Sequence, residues 1–148
     1  MSDIRELYQE LIIDHGRHPR HFKMMDDATA SKEGFNPLCG DRLTLFLKIN
    51  NNKIVDASFL GSGCAISVAS SSLMTETIIG KTIDEAKKIF DAFHLLVTKG
   101  DASQEKNLGK CAVLKGVCEY PARVKCATLA WHTMMEAIDE EQMSQKPA

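Results

Sequence analysis

Between residues 43 and 60 the chain places its residues on two alternating faces, and this pattern constrains the fold more than any other. Leu43, Leu45, Leu47 and Ile49 fall on one face of an extended segment and Thr44, Phe46 and Lys48 on the other, the period of a strand buried on one side. Asn50-Asn51-Asn52 follows, residues that tolerate positive φ, and Ile54 to Leu60 alternates again, so the two runs are read as a β-hairpin. The hairpin delivers the chain to Gly61-Ser62-Gly63-Cys64.

Helical spacing governs the rest. Ile4, Leu7, Tyr8, Leu11 and Ile12 mark an N-terminal amphipathic helix that stops near Gly16 and Pro19. Ala65 to Ile79 suits a helix closed by Gly80, and Thr82-Ile83-Asp84-Glu85 is a capping-box sequence opening a helix that ends at Gly100. A polar loop is expected over Asp101 to Leu108, then a short helical turn around Ala112 to Leu114. Pro121 can occupy the first turn of a last helix with the stripe Val124, Ala127, Ala130, Trp131, Met134 and Ile138. A polar tail from about Glu140 is expected to fray. These elements predict an α+β fold, a small antiparallel sheet packed against several helices, in a single domain over residues 1-148.

A chain of 148 residues buries roughly 70% of its unfolded surface, so one core suffices. The formal charge of -2 gives no electrostatic case for nucleic acid as a partner. The opening residues mix charged and apolar side chains, unlike a secretory signal, and no stretch approaches the ~20 apolar residues that span a bilayer. The expectation is a cytoplasmic protein with no membrane partner, where thiols stay reduced and cysteines bind metal or react. Five cysteines, an odd number, fit a disulfide framework poorly.

Three of those cysteines stand where chemistry is favoured. Cys39-Gly40-Asp41 sets a thiol and a carboxylate two residues apart in the turn-prone stretch after Gly34-Phe35-Asn36-Pro37-Leu38, although it also reads as an ordinary buried cysteine beside a turn aspartate. Cys64 lies at a strand-to-helix junction, where unpaired N–H groups and the helix dipole lower a thiol pKa. A dinucleotide-binding loop there lacks its third glycine and a parallel crossover. Cys126 lies close to the start of the last helix, so the same field is expected to act on it. Cys39, Asp41, Cys64 and Cys126 together supply the four donors that tetrahedral zinc prefers. Their charge calls for nearby cations, for which Arg123 and Lys125 are candidates; both also read as a solvated helix face. Cys111 is expected to pack, Cys118 has no helix-terminus environment, and the histidines from His15 to His21 are expected to be solvated.

Asn36-Pro37-Leu38-Cys39-Gly40-Asp41, Gly61-Ser62-Gly63-Cys64-Ala65-Ile66-Ser67 and Pro121-Ala122-Arg123-Val124-Lys125-Cys126-Ala127-Thr128-Leu129-Ala130-Trp131 resemble, in order, the three cysteine motifs of the IscU/NifU-N superfamily. Tyr8 to Arg20, with Asp14-His15 and Pro19-Arg20, resembles that family's opening helix. IscU-type scaffolds usually carry histidine immediately before the third cysteine. Lys125 stands there in this chain, and the longer segment between Cys64 and Cys126 is also similar to the SufU branch. That resemblance implies a zinc-dependent sulfurtransferase that accepts persulfide sulfur from a SufS-type cysteine desulfurase for iron–sulfur cluster assembly, with downstream cluster-assembly proteins as further partners. It implies Cys39 as sulfur acceptor, Asp41, Cys64 and Cys126 as the remaining zinc ligands, and Arg123 as a group steering the anionic sulfur. The alternative is an IscU-type scaffold holding a transient iron–sulfur cluster on the same cysteines.

Overall fold

The computed structural model describes residues 2–144, with side chains from Glu10 onward. The expected contacts of Ile4, Leu7 and Tyr8 therefore lie outside the described side chains. Helix α1 (Ser2–Arg17) is followed by strands β1 (Ala30–Asn36), β2 (Asp41–Asn50) and β3 (Lys53–Ser62), and then by α2 (Ala65–Ile78) and α3 (Ile83–Lys99). Two 3₁₀ segments, Glu105–Asn107 and Gly109–Glu119, lead into α4 (Pro121–Ser144). The strands form one antiparallel sheet in the order β1-β2-β3.

The hairpin is as the alternation requires. Asn51 and Asn52 take φ of 52° and 60°, the two left-handed residues of a tight turn whose twist matches the strands it joins. On β2, burial alternates without a break from Asp41 to Asn50, so Leu43, Leu45, Leu47 and Ile49 all face the core. Asp41 shares their parity. Its carboxylate therefore lies at the inward end of the apolar row and is fully buried.

Strand β1 begins where the sequence suggests no element and ends in the stretch from Gly34 read as turn-prone. Ala-Ser-Lys-Glu-Gly-Phe-Asn offers neither an apolar alternation nor β-branched residues, and it forms because β2 pairs it residue by residue from Ala30↔Leu47 to Asn36↔Asp41. Helix α4 packs against it. Gly34 permits that approach, since a methyl there would run into Thr133 Oγ1.

Helix α2 is buried on nearly every side despite four serines. Three of the hydroxyls find partners inside the protein: Ser71 donates to the Ser67 carbonyl at 2.9 Å, Ser70 to the Ala127 carbonyl at 2.6 Å, and Ser72 Oγ accepts the Arg20 N–H at 2.8 Å. Trp131 then donates its Nε1–H to Ser70 Oγ at 3.0 Å and stacks on Phe93, ring centroids 4.2 Å apart. One tryptophan thus joins α2, α3 and α4. The Thr82–Glu85 capping box and the left-handed Gly100 (φ 68°) bound α3 as expected.

Three expectations are corrected. The helical turn near Ala112 is a longer 3₁₀ segment, Gly109–Glu119. The chain does not leave its helix at Glu140: α4 continues to Ser144, tied down by an ion pair of Glu140 to Lys32 (2.6 Å) and by burial of Glu141. His15 is not solvated but fully buried, its Nδ1 2.7 Å from Ser72 Oγ, because α1 lays this residue against α2.

Candidate metal centre

The site forms where three chain segments meet at one end of the sheet. The β1–β2 turn carries Cys39; Gly40 (φ 71°) turns the backbone there, and its N–H donates to the Asn36 carbonyl at 2.8 Å. Asp41 opens β2. Cys64 is the N-cap of α2, and its backbone N–H donates to Asp41 Oδ1 at 2.9 Å. Gly63 is needed for this approach, because a Cβ on it would lie 2.5 Å from that same oxygen. Cys126 sits in the second turn of α4, 1% exposed, with its sulfur 3.1 Å from that of Cys39.

The ligand atoms of Cys39, Asp41 and Cys126 all lie within 4.8 Å of one another. Cys39 is exposed, while Asp41 and Cys126 are buried. Two thiolates on a tetrahedral metal, each at about 2.3 Å, stand about 3.8 Å apart, so the Cys39–Cys126 pair needs to open only slightly to take an ion between its sulfurs. Thiolate and carboxylate donors suit zinc and cluster iron alike, so this donor set fits either. Cys64 stands beside this triad rather than within it. Its half-buried thiol acts on Cys126 and Arg123.

The electrostatics depart from the expectation for Cys126. Burial pushes its thiol up, and neighbouring Cys39, Asp41 and Cys64 push it further in the same direction. A helix dipole acts most strongly at the first turn and in contact with solvent, and desolvation overrides it at this depth. A cation among these donors would reverse the sign for Cys126, favouring its thiolate. Arg123 is the cation nearest to hand: contact with Cys126 and the charge of Cys64 hold its guanidinium more firmly protonated. Lys125 instead lines a groove of about 370 Å³ with Phe35, Leu38 and His132. Cys111 is fully buried 3.2 Å from Thr77 Oγ1, its thiol pushed up to about 12, and Cys118 lies against Gly100.

Sequence reasoning passed over Asn36. It is buried, and its Nδ2 donates toward Asp41 Oδ2 (3.4 Å) and Cys126 Sγ (3.8 Å). An asparagine before proline reads as a turn former, and only its inward place at the end of β1 distinguishes it.

A three-stranded sheet with helices packed against it and two thiols and a carboxylate gathered at its end defines a protein with a cysteine-rich metal site. Residues 7–140 match the family described as NifU-like N terminal domain, and the chain belongs to that family. It is 41% identical over 138 residues to the "Iron-sulfur cluster assembly scaffold protein IscU" of Streptococcus pyogenes serotype M1, covering 93% of this chain and 86% of that protein. It is 36% identical over 141 residues to the "Zinc-dependent sulfurtransferase SufU" of Bacillus subtilis (strain 168), covering 95% of each. Among solved structures, a putative iron-sulfur cluster assembly scaffold protein for the SUF system from Fervidobacterium islandicum AW-1 superposes with a TM-score of 0.84 at 37% identity, covering 90% of this chain and 98% of that one. The fold is the IscU-like one. Relatives of both names match over nearly the whole chain, so the SufU branch suggested by Lys125 is not separated from the IscU type. Among the described residues no helix is long and apolar enough to cross a membrane.

Proposed function

We propose that this protein takes part in iron–sulfur cluster assembly, and that Cys39, Asp41 and Cys126, joined by Cys64, form the site on which a cluster is built. The observation that carries this reading is the contact of an exposed cysteine, Cys39, with a pair of buried donors, Asp41 and Cys126, its sulfur 3.1 Å from that of Cys126. A buried pair holds its cargo, and an exposed cysteine lets it enter and leave. The names of the more similar relatives favour the scaffold role. A cysteine desulfurase is the sulfur source this role requires.

A second reading is a zinc-dependent sulfurtransferase, favoured by Lys125 in the place of histidine and by the exposure of Cys39. Bound zinc would keep the thiols deprotonated and take no part in redox chemistry. Cys39 thiolate then attacks the outer sulfur of the persulfide on a SufS-type desulfurase. A new S–S bond forms on Cys39, the old one breaks, and the desulfurase cysteine leaves as thiolate. Arg123, beside Cys64 and Cys126, is placed to offset the negative charge that arrives.

One experiment tests both. The protein is mixed anaerobically with a SufS-type desulfurase and cysteine, with and without ferrous iron, then followed by absorption and mass spectrometry. A cluster that displaces zinc and passes to an apo-acceptor supports the scaffold. Persulfide on Cys39 with zinc retained and no cluster supports the carrier, and persulfide only on Cys111 or Cys118 overturns both.

A further inference from the structure

Asn36 ties the exposed and the buried parts of the site to one point. It ends β1 and is 5% exposed. Its Oδ1 accepts the Leu38 N–H at 3.3 Å and its backbone carbonyl accepts the Gly40 N–H at 2.8 Å, so the turn that carries Cys39 closes on this residue from both sides. With Oδ1 committed to Leu38, the orientation of the amide is fixed and Nδ2 faces the opposite way. There it meets Asp41 Oδ2 at 3.4 Å and Cys126 Sγ at 3.8 Å. The other Asp41 oxygen is held by the Cys64 N–H.

We infer that Asn36 is a positioning residue of the metal site: its amide orients Asp41 and Cys126 as standing donors, while its two acceptor oxygens tether the loop on which Cys39 moves. The inference rests on the metal-binding reading above. Its physical basis is that groups bonded to metal ligands fix ligand orientation, and that an N–H donated to sulfur draws charge from a thiolate crowded by other anions. The consequence is a division of labour. Cys39 can leave the donor set and return without the buried donors losing their geometry, because its loop swings from an anchor that those donors share.

Cobalt(II) is the probe, since its thiolate charge-transfer absorption reports sulfur ligation directly. Asn36→Ala removes the amide and the turn acceptor together. Asn36→Ser keeps an acceptor for the Leu38 N–H but is too short to reach Cys126. Both are expected to weaken cobalt binding about 10- to 100-fold in chelator competition and to shift the charge-transfer band, the cost found when groups behind metal ligands are removed. Circular dichroism of metal-free Asn36→Ser should match wild type. Trp131→Phe is the control for a merely structural effect, expected to lower the melting temperature and leave band and affinity unchanged. Asn36→Ser binding cobalt within about twofold of wild type with an unshifted band would overturn the inference, whether or not Asn36→Ala folds. Wild type failing to show thiolate-ligated cobalt would instead remove the metal-binding reading itself.

Discussion

The Cys64 backbone N–H and the Asp41 carboxylate hold one another across 2.9 Å, joining the N-terminus of α2 to the first residue of β2. An acidic side chain at a helix start meets the unpaired N–H groups there, and this one does so while fully buried. The bond fixes the direction of the carboxylate before any metal arrives.

Gly63→Ala tests that fixation. The added methyl falls 2.5 Å from Asp41 Oδ1, so either the carboxylate or the α2 start must shift. Metal retention against a chelator should fall about tenfold or more, with the far-ultraviolet spectrum unchanged. Retention equal to wild type would show that the carboxylate has room the structure does not give it.

The cysteines should separate by chemistry. Alkylation of the metal-free protein should modify exposed Cys39 first and Cys111 and Cys126 last, because both are buried and their thiols are pushed up, that of Cys111 to about 12. Cys39→Ser should abolish sulfur loading by a desulfurase and change stability by less than about 0.5 kcal/mol, as expected for an exposed position. Peptide mapping by mass spectrometry and thermal melting check the two halves.

Trp131→Phe removes a buried hydrogen bond to Ser70 and part of the stack on Phe93. Ser70 Oγ keeps its bond to the Ala127 carbonyl, so no donor is orphaned. A loss of about 1–2 kcal/mol is expected by urea denaturation.

Acid should destabilise the fold before carboxylates titrate. Desolvation holds His15 below its ordinary 6.5, and Arg20 adds to this while Glu76 and Asp14 oppose it. The unfolded chain therefore binds more protons than the folded one as pH falls through and below 6.5, and stability falls with it. His132 shifts the same way, again by desolvation first and then by His94. Melting temperatures across about pH 5 to 8 should decline toward acid, and His15→Gln should flatten the decline without abolishing it.

Much of this was legible from residues. The β2–β3 hairpin, α2, α3 and α4 follow from period, caps and glycines; of the four expected ligands, Cys39, Asp41 and Cys126 lie within reach of one another and Cys64 lies beside them. β1 was not, because Ser31-Lys32-Glu33-Gly34 carries no pattern of its own and becomes a strand through its partner. Asn36 was missed for a related reason: its role comes from where β1 ends, and a strand that is not foreseen has no end to reason from. The sign of the Cys126 shift was missed because depth along α4 decides it, and sequence gives distance from a helix start but not burial.

Asp41 lies inward only because it shares parity with Leu43, Leu45 and Leu47 on β2. A slip of one residue in the sheet would turn Arg42 into the site and send the carboxylate to solvent, along with every leucine of that row. On the metal-binding reading proposed above, uptake reports strand registry: a chain that binds has aligned its sheet, and a misaligned one lacks the carboxylate donor and has its apolar face in water.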